Sequence, residues 1–380
     1  MNMRQRREMI EQGQIPDRFP VHCIHPWRET LIRWEKEGKP PQMNHNQLLG
    51  TDQDMDTEML PFNIGMAPQY DVLELRRDAK NVIVRDEFGV TRRMPINDFE
   101  ITKGLMMLTG ETSCMSEFIE YPLTDEESWE NLKAYHFSDL LCARVPKDWE
   151  HRVEYYREIA KEKYIGLRGY PIMGAIGGLR QMMGLENLIF TMADNPNFIR
   201  RVWTELIELW KSLLQKALNM VPIDHIIFFE DLCGTHGPLF SPAMFMDFFA
   251  DGYRELLTFL KEHGVHALDF DTDGNAMLML DAIEDIGFTM FSPVQASAGT
   301  DPEEVLKRHP KLMLHGGINH HVLSFGTKDE IEEEVRKKYA TAWKYGRYIP
   351  APEHSIPPTV SWDHIRYYAD FSLRYSVMAP

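Results

Sequence analysis

From about residue 160 onward the chain alternates short apolar runs with longer stretches whose apolar residues recur at helical spacing, and this alternation narrows the fold more than any other feature. A strand that returns after each helix lies parallel to the one before it. The sheet so built is covered on both faces. Strands are expected at Tyr164–Arg168, His225–Glu230, Val265–Phe270, Thr289–Phe291, Lys311–His315 and Tyr348–Pro350. Helices are expected at Pro196–Asn219, Pro242–His263, Ala276–Ile286, Pro302–Arg308, Lys328–Tyr345 and Trp362–Leu373, and Ser241-Pro242 and Thr300-Asp301-Pro302 read as helix starts.

The N-terminal part is less regular. Arg18–Ile24 reads as a first strand, followed by a helix over Pro26–Glu37, and Met59–Ile64 is the place for a second strand. Asn81–Arg93 reads as a hairpin turning at Glu87–Gly89, where glycine supplies the freedom a tight turn needs. No repeat, low-complexity linker or charge block marks a boundary. The expectation is one α/β domain over residues 1–380, a (β/α)8 TIM barrel with an N-terminal elaboration: 1–160 irregular, 161–380 regular β/α units.

In such a barrel the functional groups gather where strands end, because only there do the chain segments converge. The polar clusters fall at those points: His22 and His25, Glu230-Asp231, Asp271 and Asp273, Gln295, His315, and Glu353-His354. Asp271 and Asp273 stand two apart at the end of the apolar run Ala267–Phe270, so their side chains point the same way. If that end meets the Glu353-His354 end, two hard oxygens and an imidazole could hold a metal with an open face. Capping of a helix near Asn275 is the plainer reading of the aspartates. Glu230 and Asp231 are candidates for a further ligand or a general acid, Glu230 being favoured for its longer reach, and an ion pair with Arg168 or Arg180 is the alternative. His315 precedes Gly316-Gly317, whose missing side chains would let a ligand approach the backbone. Of His22 and His25, one is expected to face the pocket and the other to pack. Gly174–Gly178 offers backbone N–H groups at a helix start, a weak anion-site signal. Phe228, Phe229, Phe291, Trp27 and the pairs Met106-Met107 and Met182-Met183 are assigned mainly to the core.

Composition excludes some roles. The 41 basic and 58 acidic residues leave a net charge of -17, which disfavours nucleic acid and anionic membrane surfaces. The first residues carry no secretory signal and no apolar run spans a bilayer, so a cytoplasmic location is expected. Cys23, Cys114, Cys142 and Cys233 are scattered, so all four are expected as buried, reduced thiols.

Pro16-Asp-Arg-Phe-Pro-Val, Val84-Arg-Asp-Glu-Phe-Gly-Val, Phe229-Glu-Asp, Ser241-Pro-Ala-Met-Phe, Asp273-Gly-Asn, Leu314-His-Gly-Gly-Ile and Ser355-Ile-Pro-Pro resemble the uroporphyrinogen decarboxylase superfamily over nearly the whole chain. The resemblance implies a (β/α)8 barrel and either tetrapyrrole decarboxylation or corrinoid-linked methyl transfer. Decarboxylases of this kind carry an N-terminal Arg-Gln-Ala-Gly-Arg clamp and a Phe-Asp-Ser-Trp strand end. Here Val21-His-Cys-Ile-His-Pro-Trp27 and Phe229-Glu-Asp-Leu-Cys233 stand in those places. The methyltransferase branch is more similar. It implies zinc held from a His-x-Cys-Gly strand end and a late Gly-Cys-Gly-Ile-Pro-Pro loop, positions that fall on Asp271, Asp273 and His354. Carboxylates and imidazole make a harder site than thiolates and suit oxygen.

The resemblance thus implies a methyltransferase like the first component of aromatic O-demethylase systems. Zinc would act as Lewis acid, a methoxylated aromatic compound would be the methyl donor, and the acceptor would be the cobalt of a corrinoid (cobalamin) on a partner protein. Glu230, Asp231 and His315 are the catalytic candidates; His22, His25, Gly316 and Gly317 the cofactor-binding ones. A homo-oligomer is compatible with this. The alternatives are a decarboxylase-like lyase acting on a carboxylated substrate, and a non-catalytic subunit that binds the corrinoid protein.

Overall fold

The computed structural model describes residues 1–52, 57–102 and 116–377. Its strands in chain order are β1 Thr57–Met59, β2 Leu73–Arg77, β3 Asn81–Arg85, β4 Thr91–Pro95, β5 Glu117–Glu120, β6 Tyr164–Arg168, β7 His225–Phe229, β8 Cys233–Gly234, β9 Gly237–Pro238, β10 Ala267–Asp271, β11 Met290–Val294, β12 Met313–Ile318 and β13 Tyr348–Pro352. Seven of them form one curled parallel sheet in the order β1-β6-β7-β10-β11-β12-β13. Nearly every residue of β6, β7, β10, β12 and β13 is buried, as expected for strands with helices on one side and a filled interior on the other. The helices start on local signals. Ser241 Oγ accepts the Met244 N–H at 3.1 Å before Pro242–Glu262, Asp301 caps Pro302–Arg308, and Thr327 with Glu330 forms a capping box on Lys328–Tyr345.

The eight-stranded barrel is not fully closed. Residues 18–24, expected as its first strand, make one isolated parallel bridge among the described residues, His22 to Asp52, and a second, Pro26 to Ile356, follows just past them. The reason lies in where the main-chain groups go. Pro20 has no N–H, Val21 N donates to the Asp52 carboxylate at 2.9 Å, and Phe19 N donates to Ser376 O at 3.2 Å. The carbonyls of Pro20 and His22 accept from the hydroxyls of Tyr339 and Tyr368 at 3.2 and 3.1 Å. Side chains replace the ladder. The second strand lies at Thr57–Met59 and not at Met59–Ile64, since Pro61 cannot continue the pairing that Leu60 N makes with Gly166 O at 2.8 Å.

The N-terminal elaboration contains a four-stranded antiparallel sheet, β2-β3-β4-β5. The expected hairpin is there as β3 and β4, and its turn is built by Asp86, whose carboxylate accepts from Phe88 N at 3.0 Å and Val90 N at 2.9 Å. Val82, Val84, Met94 and Phe99 form a small core beneath it.

Cys23 and Cys233 are buried free thiols, whereas Cys142 is exposed, contrary to expectation. It lies in a surface 3-10 turn, Leu141–Ala143, with no buried residue. Cys114 and the pair Met106-Met107 lie outside the described residues; Met182 and Met183 are fully buried. Among the described residues no helix is long and apolar enough to cross a membrane.

Candidate active site

The C-terminal ends of β7 and β10 are locked together by bonds from main-chain N–H groups, and the side chain of His354, just past β13, reaches the same place, so that four titratable groups meet there. Glu230 N and Asp231 N both donate to Asp271 O, at 2.8 and 3.1 Å. Thr272 Oγ1 accepts from Leu232 N and Cys233 N at 2.9 and 3.1 Å. The chain after β7 is thereby bent so sharply that Asp231 takes φ +41°, a left-handed conformation that aspartate tolerates better than most residues. Gly274 follows at φ +83°, where a Cβ would stand 2.6 Å from the carbonyl oxygens of Cys233 and Gly234.

Asp271, Asp273, Asp231 and His354 share this mouth. Burial pushes the Asp271 carboxyl well above the usual carboxylate range, and the charge of Asp273 adds to it. Asp231 is raised by burial too, against the pull of Arg180, with which it forms an ion pair, and with a further upward push from Asp273. His354 Nε2 lies 3.1 Å from Asp273 Oδ2. Burial alone would lower the imidazole; the hydrogen bond and charge of Asp273 overcome it and lift His354 to about 9. This favours the charged imidazolium of His354 at neutral pH. Neither aspartate caps a helix: the helix Leu280–Ile286 begins well past Asn275, and Gly274 N donates to Gln295 Oε1 at 2.6 Å.

Aromatic side chains frame the pair. Trp27 meets the His354 ring edge-on at 5.4 Å and is half-buried; Phe229, the last residue of β7, is half-buried against Tyr170 at 4.6 Å, while Phe228 and Phe291 are core. Glu353 fixes the loops around them by accepting from Ser297 N and His320 N, each at 2.9 Å.

Several expected site residues are placed differently. Glu230 is not positioned as an acid for substrate: it is fully buried, accepts from Ala175 N and Ile176 N at 2.8 Å each, and takes the Tyr253 hydroxyl. Its longer reach carries it inward, to the start of the helix Ile176–Met183, and burial pushes its carboxyl up to about 8. The same bonds account for the Gly174–Gly178 segment, whose free N–H groups take an internal carboxylate and no external anion. His315 is buried inside the sheet, its Nε2 2.9 Å from His22 Nδ1, and burial holds it well below the usual histidine range. His22 packs there, and His25 is exposed. At Gly316, φ +120°, a Cβ would lie 2.7 Å from Val294 N, and at Gly317, φ +89°, it would meet the Tyr348 hydroxyl. What approaches these glycines is the protein itself: Tyr348 donates to Gly316 O at 2.9 Å.

Sequence reasoning missed His320. Its ring stands 6.5 Å from that of His354, its Nε2 is buried with no hydrogen-bond partner among the described residues, and burial with the nearby His354 charge lowers it to about 3. Its only sequence signal was its place just after β12.

The zinc implied by Asp271, Asp273 and His354 finds suitable donor types but no formed centre. Among the described residues no three His, Cys, Asp or Glu side chains are grouped to hold a metal, and Asp273 and His354 are bonded to each other. What this arrangement can do unaided is hold a proton on His354, between Asp273 and the Trp27 ring.

Comparison with known proteins agrees with the architecture. The family model described as uroporphyrinogen decarboxylase (URO-D) matches residues 119–375. A solved structure, a methyltransferase from Methanosarcina mazei, is similar in fold with a TM-score of 0.56 at 14% identity, covering 99% of this chain and 99% of that one. No curated protein matches the sequence.

Proposed function

The chain belongs to the uroporphyrinogen decarboxylase family, and from that premise we propose that it is a methyltransferase taking a methyl group from an oxygen-bound donor, a methoxylated aromatic compound, to the cobalt of a corrinoid carried by a partner protein. The observation that supports this reading best is the Asp273–His354 pair at the mouth, 3.1 Å apart, in which Asp273 lifts the imidazole to about 9. When the methyl carbon is attacked, the carbon–oxygen bond breaks and its electron pair stays on the oxygen. A phenolate formed there has a proton affinity near that of a tyrosine side chain, pKa about 10. His354, at about 9, is matched to give it a proton, and proton transfer is most effective when donor and acceptor are so matched. Asp273 orients the ring and keeps it charged until then. Trp27 and Phe229 offer flat apolar surface for an arene. The donor types of Asp271, Asp273 and His354 are those zinc would take, but their arrangement is a charge pair and not a cage, so no step above runs through a metal.

A carboxylated substrate is the second reading, and Arg168 favours it: it is exposed at the end of β6 and has no ion pair among the described residues. Incubation with a cobalt(I) corrinoid and methoxybenzoate or guaiacol separates the two. Methyl-cobalt absorbance that falls by about a hundredfold in rate in His354→Gln, an ordinary loss for a general acid, supports methyl transfer. Carbon dioxide release without methyl-cobalt supports the lyase. Zinc analysis of the same preparations, near one per chain in wild type and lost in His354→Gln, would add the metal to the site.

A further inference from the structure

At the opposite end of the sheet, where the strands begin, lies a cavity of about 460 Å³, a size ordinary for a small-molecule site. Its wall is apolar, formed by Tyr164, Ala267, Met290 and Met313, the first residues of β6, β10, β11 and β12. Its rim is charged: Glu8 and Glu11 of the helix Met3–Glu11 on one side, His266, Lys311 and Arg347 on the other.

The rim charges do not balance. Both carboxylates are already bound, Glu8 to Arg4 at 3.0 Å and Glu11 to Arg7 at 3.0 Å and His266 at 2.8 Å. Asp224, next to the rim, takes Arg4 at 2.6 Å and stands 3.6 Å from His266. The two remaining cations have no such partner. Lys311 makes no ion pair or side-chain hydrogen bond among the described residues, and the Arg347 guanidinium meets only carbonyl oxygens, those of Glu11 and, at 3.4 Å, Lys311. In a chain of net charge -17 carboxylates are plentiful, yet none among the described residues forms an ion pair with these two. Both bonds come from Nη1, so among the described residues the Nε and Nη2 donors make no hydrogen bond, and such donors suit a planar oxyanion.

We infer that this cavity binds a small organic carboxylate, its anionic end between Lys311 and Arg347 and its apolar body against Tyr164, Met290 and Met313. The site is independent of the chemistry at the mouth.

The test uses the full chain with benzoate as probe and inorganic phosphate as a second arm. Titration calorimetry is expected to show benzoate binding that weakens about tenfold or more in Lys311→Glu, an exposed substitution that leaves methyl transfer unchanged. No benzoate binding, or equal affinity in both forms, overturns the proposal. Phosphate binding as tight as benzoate with the same dependence on Lys311 also overturns it, since the apolar wall would then contribute nothing.

Discussion

Replacing Glu230 distinguishes a structural carboxylate from a catalytic one. In the wild type it accepts from Ile176 N at 2.8 Å and from the Tyr253 hydroxyl, and it shares Ala175 N with Tyr253, which accepts from it at 2.9 Å. In Glu230→Ala, Ala175 N keeps a partner, but Ile176 N and the Tyr253 hydroxyl lose theirs inside the protein. At about 1–3 kcal/mol for each buried group left without a partner, the loss is about 4 kcal/mol. A chain of 380 residues melts with an entropy of about 0.8 kcal/mol/K, so the midpoint falls by about 5 °C. Glu230→Gln retains one acceptor oxygen and falls by about 2 °C. Both variants, assayed below their melting range, keep a methyl-transfer rate within about twofold of wild type per folded molecule, because no Glu230 oxygen faces the mouth. Scanning calorimetry beside the methyl-cobalt assay reads both quantities. A Glu230→Gln protein that melts like wild type but has lost most of its activity would refute the structural assignment.

Asp273→Asn removes the charge and hydrogen bond that hold His354 up, so the alkaline limb of the pH–rate profile, expected near pH 9, moves to lower pH by about one unit or more; a limb that stays in place argues that His354 is not the acid. His266 is raised to about 9 by Asp224 and Glu11, so its contribution to stability is full below pH 6.5 and is lost as pH rises through 9. Its ring is 42% exposed and screened by water, so His266→Gln is expected to cost about 1 kcal/mol at pH 6 and nothing above pH 9.5 in urea unfolding; a gap constant across that range would contradict the pairing. Gly317→Ala would force a side chain into φ +89° and against the Tyr348 hydroxyl, with an expected loss of about 2–3 kcal/mol, and an unchanged melting midpoint would show that the close approach is not required.

The regular part of the fold was legible because each element declares itself locally. Ser241-Pro242 and Asp301-Pro302 start helices with their own side chains, and the apolar runs of β6, β7 and β12 read as buried strands. The convergence of Asp271 and Asp273 was legible for the same reason, as strand side chains alternate. Other positions were not, because the deciding partner is remote. Glu230 and Asp231 are neighbours in sequence with the same charge, yet Glu230 meets the start of a helix more than 50 residues earlier and Asp231 meets the mouth, a division set by the left-handed turn that Asp271 O imposes on the chain. His22 and His315 find each other across the sheet interior, 2.9 Å apart, and neither neighbourhood could announce it. Residues 18–24 have the composition of a strand, but tyrosine hydroxyls and the Asp52 carboxylate took the groups a ladder would have used.

Periodicity and capping, which act over a few residues, determined the order of helices and strands and the end of the sheet where chemistry can gather. Burial and charge pairing, which act between residues distant along the chain, were decided only by the tertiary structure: they set His354 against Asp273, turned Glu230 inward, and, among the described residues, left Lys311 and Arg347 without an ion-pair partner at the far end.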